Sequence, residues 1–205
     1  MIPQVPKKPI PKRESLPESD LHLDCWSEIR TILKWFLGQQ SNVYIGSNIP
    51  IYYDKENPSR HVTPDIFVVR GISNHQRAMY KTWEEGGCVP DVIFEVTSNI
   101  TRYKDSVIKS RLYQKLGVKE YFRYDPREDY LLSGLRGICL GEEGIYYEIR
   151  PKPLLSGGVS LPSEVLDLQL HLVQGRLRFF DLKNEQYLQN YTELMAEVER
   201  LKAVS

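Results

Sequence analysis

Residues 92–96 read Val-Ile-Phe-Glu-Val, an apolar run interrupted by a single carboxylate. With a side-chain period of two, Asp91, Ile93, Glu95 and Thr97 share one face and Val92, Phe94 and Val96 the other, so the run predicts a strand. After a polar turn at Ser98 and Asn99, an amphipathic segment ending at Gly117 predicts a helix, and residues 120–124 predict a second strand. Upstream, Trp26, Ile29, Ile32, Leu33, Trp35, Phe36 and Leu37 recur at helical spacing, with Asp20 or Asp24 as the expected cap and Gly38 as the stop. Residues 42–45 and 49–53 read as a hairpin about Gly46, Ser47 and Asn48. Residues 64–69 form a third strand, whose proline is tolerated because it stands at the start.

The pattern weakens elsewhere. Residues 71–88 read as a long connection laid over a sheet edge, anchored by Tyr80 and Trp83. Short strands are expected at 130–135, 145–150 and 165–171, between glycines. A terminal helix over 185–203 carries Tyr187, Tyr191, Leu194, Val198 and Leu201 at spacings of four and three. There is no internal repeat and no glycine-rich phosphate loop.

The 205 residues suffice for one ordinary domain with a single core. The expected division is a proline-rich basic arm at 1–19, a domain at 20–182 and a C-terminal helical segment at 183–205. With 27 basic against 27 acidic side chains, no wide surface for coating nucleic acid is expected, but a local patch is open. One such patch is Arg102, Lys104, Lys109, Arg111, Lys115, Lys119, Arg123 and Arg127, opposed in that stretch by Asp105, Glu120 and Asp125. It suits a polyanion or, equally, the solvated face of a helix. Three cysteines, widely spaced and without a CxxC, point to a reducing compartment. With no signal-peptide pattern and no run of membrane-spanning length, the expectation is a cytoplasmic protein without a membrane partner.

The candidate chemistry is spread over three elements. A carboxylate inside a strand is costly unless it is paired or binds a cation, so Glu95 needs a partner. Asp65 stands at the mouth of the neighbouring strand. Asp105, Lys109 and Tyr113 repeat at intervals of four and share a helix face. Two carboxylates and a backbone carbonyl, for instance that of Val96, supply hard oxygens suited to Mg²⁺, with Mn²⁺ as a substitute. A lysine beside such a metal would hold a water or stabilise charge building on a phosphate. Structural roles compete. Asp65 could cap a turn, Glu95 and Lys109 could form a buried ion pair, and Asp105 could be a first-turn helix carboxylate.

The segments PDIFVV (64–69), PDVIFEVTSNITRYKD (90–105), the pair Lys109 and Tyr113, and GVKEYFRYDP (117–126) resemble the Uma-two-like restriction-endonuclease family. This family, formerly a domain of unknown function, lies within the PD-(D/E)XK nuclease superfamily. The likeness runs from about residue 21 to the terminal helix. It implies an α/β fold, with a restriction-endonuclease-like mixed central sheet flanked by helices and followed by added C-terminal strands and a C-terminal helix. It also implies a metal-dependent endonuclease acting on nucleic acid, double-stranded DNA above all. Asp65 and Glu95 would be its acidic metal-binding residues. Thr97 stands where the superfamily pattern has a lysine, and Lys109 from the next helix would supply that charge. Glu28 resembles an auxiliary first-helix glutamate, with Asp105 and Tyr113 as further auxiliaries. A homodimer would present two sites to a duplex. The alternative is a catalytically silent scaffold or interaction protein on the same fold.

Overall fold

The computed structural model describes residues 19–131 and 133–203; all but Ser19 of the basic arm at 1–19 lies outside the described residues. Helix α1 (Asp20–Leu37) is capped by Ser19, whose hydroxyl accepts the His22 N–H, and not by Asp20 or Asp24; it stops at Gly38. Strands β1 (Val43–Ser47), β2 (Ile51–Tyr52), β3 (His61–Val62), β4 (Ile66–Arg70), β5 (Tyr80–Lys81) and β6 (Val92–Val96) follow. A π-helical turn over Lys104–Lys109 runs directly into α2 (Ser110–Leu116). Gly117 closes that helix at φ 86°, a left-handed cap where glycine has no Cβ penalty. Strands β7 (Glu120–Tyr124), β8 (Leu135–Leu140) and β9 (Tyr146–Ile149) come next. Then follow β10 (Lys152–Pro153), β11 (Val159–Ser163), β12 (Leu168–Val173), β13 (Arg176–Asp181), β14 (Gln186–Tyr187) and helix α3 (Tyr191–Ala203).

The central sheet has the order β1-β4-β6-β7-β8-β9. It is mixed: β6 and β7 run parallel, joined by the crossover through α2, and the other neighbours are antiparallel. The central strand β6 is buried throughout, and the period-two split sorts its residues into two cores. Val92, Phe94 and Val96 pack with Ile29, Ile32 and Leu33 of α1, while Ile93 packs with Phe67, Tyr113 and Tyr121 under α2. Helices therefore cover both faces, and each face excludes water from the strand that carries Glu95.

Three expectations change. Residues 42–53 form no hairpin: β1 pairs with β4, Ser47 opposite Ile66, and β2 joins β3 and β5 in a separate three-stranded sheet. Gly46 is not a turn residue; a Cβ there would lie 2.2 Å from the Phe67 ring, so the glycine admits that ring. Downstream, β10 to β14 form a five-stranded antiparallel sheet in place of the few strands expected. Its Phe179 meets Phe94 edge to face at 6.0 Å, so this sheet shares the first core. Residues 130, 131, 133 and 134 form no strand, and Asp125 accepts the N–H groups of Tyr130 and Leu131. Lastly, the terminal helix starts at Tyr191 and not at 185. Gln186 and Tyr187 pair with β13, and Asn190 with Glu193 makes a reciprocal capping box at 2.9 and 3.1 Å.

Candidate active site

The antiparallel register of β4 and β6 sets Ile66 opposite Phe94, which brings Asp65 alongside Glu95. Asp65 Oδ2 accepts the Val96 N–H at 2.7 Å, and the Asp65 N–H points at Glu95 Oε2 from 3.4 Å. From the helical side, Lys109 Nζ lies 2.8 Å from Glu95 Oε1 and 3.2 Å from Asp105 Oδ1. Tyr113 donates its hydroxyl to Glu95 Oε1 at 2.8 Å. The interval of four thus delivers Lys109 and Tyr113 to Glu95 and sets Asp105 against the same lysine, across the change from π to α winding. Around them, the Thr97 hydroxyl donates to Asp105 Oδ2 at 2.9 Å and meets the Tyr130 hydroxyl, and Tyr121 donates to the Asp105 carbonyl at 2.9 Å.

Three carboxylates surround one ammonium, and all four groups are buried. Burial pushes the Glu95 carboxyl up to about 8, Lys109 opposes that rise, and the charges of Asp65 and Asp105 add to it. Burial also disfavours the Lys109 ammonium, but Glu95, Asp105 and Asp65 more than offset it and hold the amine above its ordinary value. Tyr113 and Tyr121 are raised by burial and by Glu95, so both remain neutral donors. The cluster carries more negative charge than Lys109 balances.

The remaining expected residues fall differently. Glu28 is exposed on α1; its charge acts on Cys25 and Tyr124, away from the carboxylates. The helix residue that reaches the site is His22, with Nε2 3.3 Å from Asp65 Oδ2. One signal marks it in the sequence: it continues the stripe of Cys25, Trp26, Ile29 and Leu33, a titratable group on an otherwise apolar face. Asp91, on the Glu95 face of β6, lies outside the cluster, where it pairs with Lys119 at 2.7 Å and accepts the Arg70 N–H at 2.7 Å. Val96 enters the site through its N–H. Thr97 and Tyr130 form a polar floor under Asp105.

Asp105 has both oxygens engaged, one by Lys109 and one by Thr97. Asp65 Oδ1 accepts no hydrogen bond among the described residues, and Glu95 Oε2 has only the long contact to the Asp65 N–H. Among the described residues, no three His, Cys, Asp or Glu side chains form a ready metal cage. Two hard oxygens with surplus negative charge do fit Mg²⁺ or Mn²⁺, which commonly complete their shell with waters and substrate phosphate.

No curated protein matches the chain. A solved structure described as a "putative nuclease belonging to DUF820" from Anabaena variabilis ATCC 29413 is similar, with 14% identity and a TM-score of 0.49 over 73% of this chain and 75% of that one. The family described as "Putative restriction endonuclease", Uma2, has a model that matches residues 14–172. That match takes in α1, Asp65, Glu95 and the helix bearing Lys109, and the chain accordingly belongs to the Uma2 family.

Proposed function

We propose that the chain is a metal-dependent endonuclease that hydrolyses phosphodiester bonds of DNA at Asp65 and Glu95. The observation that carries this reading is the convergence of Asp65, Glu95 and Lys109 from β4, β6 and the following helix, with Lys109 Nζ 2.8 Å from Glu95. Asp65 Oδ1 and Glu95 Oε2 would hold Mg²⁺ or Mn²⁺. When bound, the metal would polarise the scissile phosphate and lower the pKa of its water. Lys109 would then stand beside the developing phosphorane charge, in the role Thr97 cannot fill because a hydroxyl carries no positive charge. Tyr113 holds Glu95 in its orientation, and His22 faces Asp65. A duplex cut on both strands suits a two-fold pair of such sites, and α3, which buries no residue, offers a face for pairing.

One observation favours a silent scaffold: Asp65 and Lys109 are each only 8% exposed and Glu95 2%, so substrate must reach a nearly closed cluster. The two readings separate in one assay. Supercoiled plasmid and single-stranded DNA are incubated with Mg²⁺ or Mn²⁺ and the wild type or Asp65→Ala/Glu95→Ala. The nuclease reading expects nicking by the wild type alone. Equal nicking, or none with either metal, would leave the scaffold.

A further inference from the structure

The edge strand β1 begins a second, basic feature. Its Ser47 pairs with Ile66, the residue after Asp65, and the Asn48 N–H lies 3.1 Å from both the Pro64 and Asp65 carbonyls. Between β1, α1 and the loop at 74–77 lies a cavity of about 460 Å³, within the ~300–1,000 Å³ range of small-ligand sites. Arg30, Lys34, Tyr44, Ser47, Gln76 and Arg77 line it, and no carboxylate does. Arg77 is already matched, because Glu85 takes its guanidinium at 2.6 and 2.8 Å.

Arg30 and Lys34 are not matched. They stand one turn apart on α1, and neither forms an ion pair among the described residues. The Arg30 Nε is buried with no hydrogen-bond partner among them. Like charges at this spacing destabilise a helix, and an unsatisfied buried donor adds to the cost. Burial, and after it the charge of Arg30, lowers the Lys34 amine. A bound anion would relieve all three.

We propose that this cavity is a phosphate subsite, in which Arg30 and Lys34 take a backbone phosphate of a nucleic-acid strand running along β1 toward Asp65. The assignment rests on the nuclease reading for its ligand class. Asn74 and Gln76 at the rim supply neutral amides beside the two charges, an arrangement that positions a backbone without reading its bases.

The test is fluorescence anisotropy with labelled dT12 in EDTA, so that cleavage cannot intrude. R30Q/K34Q should bind at least about tenfold more weakly at low salt, and its salt slope should flatten by about 0.7, the loss of one single-strand phosphate contact. R30K/K34R, which keeps both charges, should retain most of the binding; circular dichroism melts check that each variant folds. An unchanged slope in R30Q/K34Q overturns the subsite. Titration with dTMP separates the phosphate sources, since dTMP binding as tightly as dT12 would assign the cavity to free nucleotide and overturn the strand path. A wild type that binds dT12 through Arg30 and Lys34 yet cuts no DNA removes the nuclease reading and leaves the subsite. A wild type that cuts, with R30Q/K34Q binding equally well, removes the subsite alone.

Discussion

Lys109 Nζ bridges Glu95 Oε1 and Asp105 Oδ1 at 2.8 and 3.2 Å, so a single buried cation holds a strand carboxylate and a carboxylate one turn back on its own helix. Its removal has two separable consequences. Lys109→Met keeps most of the apolar stem and leaves two buried carboxylates facing each other, which should lower stability by about 3–5 kcal/mol. Adding Glu95→Gln removes one of those charges and should restore much of the loss in chemical denaturation. DNA cleavage should fall by at least about a hundredfold in Lys109→Met and stay low in the double variant. Near wild-type cleavage by Lys109→Met, at a temperature where that variant stays folded, would reduce Lys109 to a structural partner.

The Glu95 carboxyl, pushed up to about 8, makes stability depend on pH. The folded state holds this proton more tightly than the unfolded chain, where an ordinary carboxyl near 4.5 applies. Its stabilising contribution is therefore full below that value, falls as pH rises toward 8, and is gone above it. Glu95→Gln should flatten the decline. Urea denaturation of both proteins from pH 5 to 9 reads this out, and parallel curves would show that Glu95 does not titrate there.

Metal binding should oppose the same decline. A cation that prefers ionised Asp65 and Glu95 competes with the Glu95 proton, so affinity for Mn²⁺ should rise with pH through the same interval. For a dissociation constant of about 1 mM, 10 mM Mn²⁺ would stabilise the folded chain by about 1.4 kcal/mol. Calorimetric titration of the wild type and Asp65→Ala/Glu95→Ala checks this. Equal heats from the two proteins would remove the metal from this site.

Helix α3 leaves Tyr191, Leu194, Met195 and Leu201 exposed, and Trp35 of α1 beside them is 55% exposed. Covering that apolar face by a second copy would place two sites about a two-fold axis. Light scattering should then give twice the 23.9 kDa chain mass at micromolar concentration, and Trp35→Lys/Leu194→Lys should return it to one chain. A mass of one chain at every concentration would exclude the dimer.

The chain pattern by itself determined the central β6, helix and β7 unit, because a buried strand and an amphipathic helix write their periods locally. It also placed Lys109, Asp105 and Tyr113 on one face, since an interval of four does so whatever lies opposite. Tertiary structure alone decided which face met which residue. The Ser47–Ile66 register overrode the hairpin suggested by proximity, because β1, whose first four residues are buried, needs the partner that the central sheet supplies. The apolar stripe of α1 put His22 on the sheet side of the helix, but only the rotation of α1 on the sheet aimed it at Asp65. The Thr97–Tyr130 contact and the cavity behind Arg30 arose in the same way, from elements distant in sequence brought together by burying two shared cores.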